Sequence, residues 1–229
     1  VLTWDALRER GKAHLAEQPG YVAEATAATG PDTLATLIYT SGTTGLPKGV
    51  ELTHRNLMTA METGAEMWRL GPDAVSLVAM PLFHIAGSGW GLASLCQGAE
   101  VVLVRDLDPA EVLRLIETCG VTNALFVPAV LRVLSSWPGV EKTDFRSLRA
   151  IAYGASPISE EVLVRSMTVF GCGFIQVYGL TETTGAITAM APEDHDPGGS
   201  KAYLLRAAGR AAGDVELRIR DSGTGIPAG

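Results

Sequence analysis

Apolar and polar positions follow two rhythms along the chain, one of period near 3.6 and one of short unbroken apolar runs. Thr3 precedes Trp4, Leu7 and Leu15, which predicts a capped helix at the start. Residues 16–33 are polar with interspersed Ala, Gly and Pro, and read as a loop. Leu34–Tyr39 is a short apolar strand that runs into a Gly/Thr/Ser loop over 40–49. Thr53 caps a helix to about Trp68. Strands and helices then take turns. Val75–Met80 is a strand, followed by a helix to Gln97. Glu100–Val104 is a strand, and Asp108-Pro109 opens a helix through Cys119. Val121–Val127 is a strand, and Pro128 opens a helix to Trp137. Leu148–Tyr153 is a strand, Ser159 caps a helix to Phe170, and Gly173–Tyr178 is a further strand.

Unbroken apolar strands suit a sheet buried on both faces, and their alternation with helices implies parallel α/β layers. Helical signals stop after Thr184. Val215, Leu217 and Ile219 alternate with Glu216, Arg218 and Arg220, the pattern of a half-exposed strand, and Asp221-Ser222-Gly223 follows as a turn. The expected organisation is therefore an N-terminal helix and linker over 1–33, an α/β core over 34–183 and a β-rich segment over 184–229.

Composition narrows the functional classes. The chain has 229 residues, 47% apolar and 19% charged, which is globular and excludes a disordered tail. Eighteen Lys and Arg face 25 Asp and Glu, a net charge of −7, which argues against a nucleic-acid binder. Any bound polyanion must meet a local positive site. Cys96, Cys119 and Cys172 are far apart, odd in number and without CxxC spacing, so neither a disulfide scaffold nor a zinc site is expected and a cytoplasmic location fits. Apolar runs fall short of the roughly 18 residues of a membrane span, and no signal-peptide pattern opens the chain.

The chemistry concentrates first at residues 39–49, Tyr-Thr-Ser-Gly-Thr-Thr-Gly-Leu-Pro-Lys-Gly. Glycines allow a tight turn and close approach of backbone N–H groups, hydroxyls donate to phosphate oxygens, and Lys48 adds a positive point charge. This is a polyphosphate site by composition. It is not a P-loop of the Gly-x4-Gly-Lys-Ser/Thr type, because Lys48 stands between Pro47 and Gly49. Residues 178–182, Tyr-Gly-Leu-Thr-Glu, follow a strand end, where open α/β sheets bind ligands. Glu182 there is a candidate Mg²⁺ ligand. Gly154-Ala155-Ser156-Pro157 and Pro81-Leu82-Phe83-His84 follow two further strand ends.

Tyr39–Gly49, continued by Val50 and Leu52–Asn56, closely resembles the AMP-binding signature of the adenylate-forming superfamily, which includes acyl-CoA synthetases, amino-acid adenylation domains and luciferases. Tyr178–Glu182 matches a second motif of the same superfamily. The resemblance implies that Thr40, Ser41, Gly42, Thr43, Thr44, Gly45 and Lys48 hold the ATP phosphates. It implies that Tyr178 stacks on adenine beside Gly179, that Thr181 contacts the α-phosphate, and that Glu182 with Thr40 serves Mg²⁺. Gly154, Ala155, Ser156 and Gln176 would complete the nucleotide site, and His84, Trp90 and Val177 the acid pocket. Thr181, Glu182 and Lys48 would carry the catalysis.

On this resemblance the expected activity is an acid–thiol ligase most like a fatty-acyl-CoA synthetase. It activates a carboxylic acid, a fatty acid in particular, with ATP and Mg²⁺, and passes the acyl group to coenzyme A. No transmembrane segment and no nucleic-acid partner are expected, and an apolar substrate is compatible with peripheral membrane association. Loading of an acyl or aminoacyl group onto a carrier protein, and a non-catalytic nucleotide-binding module, are the rival readings. The ribose-binding aspartate, the hinge and the catalytic lysine of the family fall outside the 229 residues, so the expectation is a central piece of the family's large domain, inactive by itself.

Overall fold

The computed structural model describes residues 1–41, 45–221 and 223. Seven helices and nine strands form among the described residues, with the main sheet at the centre. Helix α1 (Trp4–Glu17) is capped by the Thr3 side chain, which accepts from the Ala6 N–H at 3.2 Å. Residues 21–28 form a second helix, α2 (Tyr21–Ala28), where the sequence read as loop. Its Ala-rich stretch has high helix propensity, which outweighs the Gly and Pro that flank it. Neither helix buries a residue.

Strands β1 (Leu34–Thr40) and β2 (Lys48–Thr53) form an antiparallel hairpin outside the main sheet. The expected strand at 34–39 is thus present but largely uncovered, with only Ile38 buried, and Lys48 lies on a strand rather than in a loop. Helix α3 (His54–Met67) starts from a reciprocal cap: the Asn56 N–H donates to Thr53 Oγ1, and the Thr53 N–H donates to Asn56 Oδ1.

The main sheet contains β3 (Val75–Val78), β4 (Glu100–Leu103), β5 (Asn123–Phe126), β6 (Ala150–Gly154), β7 (Gly173–Leu180), β8 (Gly185–Met190) and β9 (Arg210–Ala211). Their spatial order is β4-β3-β5-β6-β7-β8-β9, parallel from β4 to β7 and antiparallel thereafter. Helices α4 (Ile85–Cys96), α5 (Pro109–Thr118), α6 (Pro128–Ser135) and α7 (Glu160–Phe170) are the crossovers. The chain moves one way along the sheet from β3 to β4 and the other way from β4 to β7. Right-handed crossovers therefore put α4 on one face and α5, α6 and α7 on the other. Helix α3 packs on α4, and α6 packs on both α5 and α7. The reversal creates a switch point between β3 and β5.

Residues 215–219 do not form the expected strand, and β8, which the sequence reading missed, is the antiparallel strand beside β7 instead. β8 is rich in Gly, Ala and Thr and gives little alternation to read. The turn expected at 221–223 includes Ser222, which lies outside the described residues. No helix among the described residues is long and apolar enough to cross a membrane.

Candidate active site

A cavity of about 290 Å³ lies at the C-terminal ends of β5, β6 and β7, beneath α3 and α4. Leu125, Gly154 and Val177 border it from the sheet, and Met61, Trp68, Ile85 and Trp90 from the helices. The polar side is Thr40, His84, Thr181, Glu182 and Thr184. An apolar chamber with a few converging polar groups is the usual form of a small-molecule site.

Backbone constraints explain how each wall is placed. Gly154 pairs in register with Val177 across β6 and β7, and no Cβ fits between them. Gly87, on the first turn of α4, sits against the carbonyls of Met80 and Pro81, so α4 docks directly on the end of β3. His84 caps this helix, its Nδ1 accepting from the Ala86 N–H at 3.1 Å. In the neutral ring the proton then resides on Nε2, which is left as a donor at the cavity edge. Trp90 is 3% exposed and its Nε1–H donates to the Leu77 carbonyl at 3.1 Å, so it is at once core and cavity wall. Its ring packs on Trp68 at 5.3 Å.

A register shift in β7–β8 falls between Tyr178 and Gly179. Gly179 there lies against the Gly185 carbonyl with no room for a side chain. The chain then turns tightly through 181–183, where the Leu180 N–H donates to Thr183 Oγ1 at 2.8 Å. Thr181 is buried and Glu182 exposed, without an ion pair among the described residues. Ala155 and Thr184, both at the cavity, have φ of 66° and 59°. A left-handed backbone at non-glycine residues concentrates at functional sites.

Strand β2 packs on the 181–183 turn, which brings the hairpin to the cavity. Thr40 borders the cavity and pairs with Lys48 across the hairpin. Ser41, Gly45 and Lys48 are exposed, and Gly45 has φ 87°. Gly42, Thr43 and Thr44 lie outside the described residues. Thr40, Thr181, Thr184 and Glu182 thus line one side of a mostly apolar chamber, and Lys48 is exposed on the strand that pairs with Thr40.

Of the other expected site residues, Thr40, His84, Trp90, Gly154, Ala155 and Val177 border the cavity, as do Gly179, Thr181 and Glu182. Tyr178 does not; it is 48% exposed beside two cavity residues, with its ring open to solvent. Gln176 is also outside the wall, and its buried Oε1 has no protein partner among the described residues. Ser156 borders a small depression with Pro128, Arg132 and Val162, on the α6–α7 face. Met61, Trp68, Ile85 and Leu125 were not singled out as site residues. Met61 on α3 and Trp68 at its C-terminal cap are seven apart, and that helical spacing was the available signal.

Comparison with known proteins places the chain in a family. The chain is 41% identical over 206 residues to a fatty acid–[acyl-carrier-protein] ligase of Streptomyces coeruleorubidus, covering 87% of this chain and 39% of that protein. It is 37% identical over 166 residues to a medium/long-chain-fatty-acid–CoA ligase of Mycobacterium tuberculosis, covering 72% of this chain and 29% of the relative. The chain thus spans well under half the length of these curated relatives. Among solved structures, the inhibitor-bound N-terminal domain of FACL13 from Mycobacterium tuberculosis superposes with a TM-score of 0.78 at 27% identity, covering 88% of this chain and 48% of that domain. A sequence model described as AMP-binding enzyme matches residues 1–229, and the chain belongs to that family of adenylate-forming enzymes.

Proposed function

We propose that the protein activates a carboxylic acid, a fatty acid in particular, with ATP, and transfers the acyl group to the pantetheine thiol of coenzyme A. The observation that carries this reading is the apolar chamber whose polar mouth joins Thr181 and Glu182 to the Thr40–Lys48 hairpin. In the first step a carboxylate oxygen attacks the ATP α-phosphorus and pyrophosphate leaves. In the second the thiol attacks the acyl carbonyl, the thioester forms and AMP leaves.

This chain's residues divide the work. Lys48 and the hydroxyls of Thr40, Ser41, Thr43 and Thr44 neutralise and orient the β- and γ-phosphates. Thr181 donates to the α-phosphate. His84 presents Nε2–H to the acid's carboxylate and aims it. It is not needed as a base, because the carboxylate is already ionised near neutral pH. Tyr178 offers a ring face for adenine, with Gly154 and Ala155 beside it. Trp90 and Val177 enclose the acyl part. Glu182 and Thr40 suit Mg²⁺, which takes one or two carboxylates and completes its shell with phosphate oxygens and water. Bound there, the ion supplies charge neutralisation at the departing pyrophosphate.

A carrier-protein phosphopantetheine is the second reading for the thiol, favoured by the 41% identical Streptomyces ligase, which acts on an acyl-carrier protein. The test is ATP–pyrophosphate exchange by the full-length gene product across short, medium and long fatty acids, aromatic acids and amino acids. Thioester formation with coenzyme A and with a phosphopantetheinylated carrier follows. Exchange with fatty acids and a CoA thioester is expected. Exchange only with aromatic or amino acids overturns the substrate, and a carrier thioester alone overturns the acceptor. ATP binding without exchange on any acid supports a nucleotide-binding module.

A further inference from the structure

A second depression, of about 610 Å³, is bordered by β1, α3 and α4. Its surface is mostly apolar, from Leu37, Leu57, Met58, Leu82, Phe83 and Leu92, with Thr36, His54 and Ser88 among them, and Phe83 is 81% exposed. Among the described residues only Met61 and Ile85 border both this depression and the inner cavity. They are 2% and 8% exposed, so both side chains are buried between the two spaces. Ile85 is held firmly. It packs with Ile38 and Leu52 of the hairpin and lies against Gly89 of its own helix. Met61 projects from α3, and its unbranched thioether adapts to new shapes more readily than a β-branched side chain.

The inner cavity, at about 290 Å³, stands at the small end of the roughly 300–1,000 Å³ common for ligand pockets. Its apolar end stops at these two side chains, and the apolar surface resumes on the other side. We propose that Met61, backed by Ile85, is the end-stop that sets the length of the acid's alkyl tail, and that the depression is the space a longer tail enters when the stop is shortened. The proposal rests on the adenylation reading above. It commits the depression to an alkyl tail, the occupant whose chemistry is continuous with the chamber on the far side of the two residues.

The test uses the full-length gene product and a straight-chain series from butyrate to palmitate. ATP–pyrophosphate exchange is measured for the unsubstituted protein, Met61→Ala, Ile85→Ala and Met61→Phe. Each methylene newly buried favours binding by roughly fourfold. Met61→Ala is therefore expected to raise the ratio of kcat/KM for palmitate over butyrate by about tenfold or more, Ile85→Ala to move it the same way, and Met61→Phe to lower it. Affinity for a fluorescent polyene fatty acid, titrated without ATP, gives a readout independent of turnover. It is expected to tighten in Met61→Ala.

Exchange with an unchanged chain-length profile in the folded variants overturns the proposal while adenylation stands, and assigns the depression to a covering protein segment. If no acid supports exchange, yet Met61→Ala tightens polyene binding, the end-stop stands and adenylation falls. Should Met61→Ala fail to fold, the opposed shifts of Ile85→Ala and Met61→Phe decide the matter.

Discussion

Gly154 and Val177 face each other across β6 and β7, and the missing side chain on Gly154 is what lets the ends of these strands close the cavity floor. A Cβ at Gly154 would collide with the Val177 carbonyl and lie 2.9 Å from Val177 Cγ2. Backbone on both sides cannot yield as a side chain can. Gly154→Ala is expected to lower stability by about 1–3 kcal/mol, read as a lower urea midpoint with unchanged slope, and to raise KM for the acid. An unchanged midpoint would mean that the strands part freely here.

Lys48 offers a different test, because it is exposed and its side chain makes no hydrogen bond or ion pair with another described residue. A charged hydrogen bond to phosphate contributes about 1.5–3 kcal/mol. Lys48→Ala should therefore lower kcat/KM for ATP by roughly 10- to 100-fold. The far-UV spectrum should be unaltered. A loss confined to KM for the acid would remove Lys48 from the phosphate site.

Asn123 ties the switch-point strand to the cavity. It is fully buried, its Nδ2 donates to the Trp68 carbonyl at 2.9 Å, and its Oδ1 accepts from Thr122 Oγ1 at 2.6 Å. Asn123→Leu removes the donor to the Trp68 carbonyl, at a cost of about 1–3 kcal/mol, while Thr122 Oγ1 keeps the Val75 N–H and turns its proton to the Val75 carbonyl. The expected result is a clear drop in thermal midpoint and an altered tryptophan emission, since Trp68 packs on Trp90. Full retention of both would show that water replaces the side chain.

His195 predicts a pH dependence. It is buried, and its Nδ1 lies 2.9 Å from the Ala191 carbonyl, an acceptor only, so Nδ1–H donates there and Nε2 accepts the Tyr153 hydroxyl at 3.0 Å. Burial holds its pKa below the ordinary value, against the opposing pull of the Ala191 hydrogen bond and of Asp194 and Glu193, while burial also raises that of Tyr153. Facing charges are Asp194, paired with Lys201 and Arg210, and Glu193, paired with Arg69. The unfolded chain protonates His195 first as pH falls. Its stabilisation is thus full above about pH 6.5 and declines as pH drops from there through the lowered folded value. His195→Gln is expected to be less stable at pH 8 but to show a flatter profile between pH 6.5 and 4. A profile parallel to that of the unsubstituted protein would assign the acid sensitivity elsewhere.

Much of the fold was legible because its signals are local. Thr53, Asp108-Pro109 and Ser159 start α3, α5 and α7 by side-chain caps within three residues of each helix start. The apolar runs of β5 and β6 read directly as strands buried on both faces, and both are wholly buried. Partner choice was not local. Leu34–Thr40 looked like another core strand, yet it pairs with Lys48–Thr53 in a separate hairpin. Val215–Ile219 had the better alternation, but Gly185–Met190 obtained the place beside β7.

The sequence by itself determined the α/β layering, the helix starts and the residue types at the polar mouth, because caps, periodicity and glycine–hydroxyl–lysine clusters act over a few residues. Only the tertiary structure decided that Met61, Trp68 and Ile85 wall the same chamber as Thr181 and Glu182, and that Ser156 faces away from it. An apolar side chain on a helix carries the same local signal whether it meets another side chain or an empty space. The crossover geometry of the sheet determines which of the two it meets.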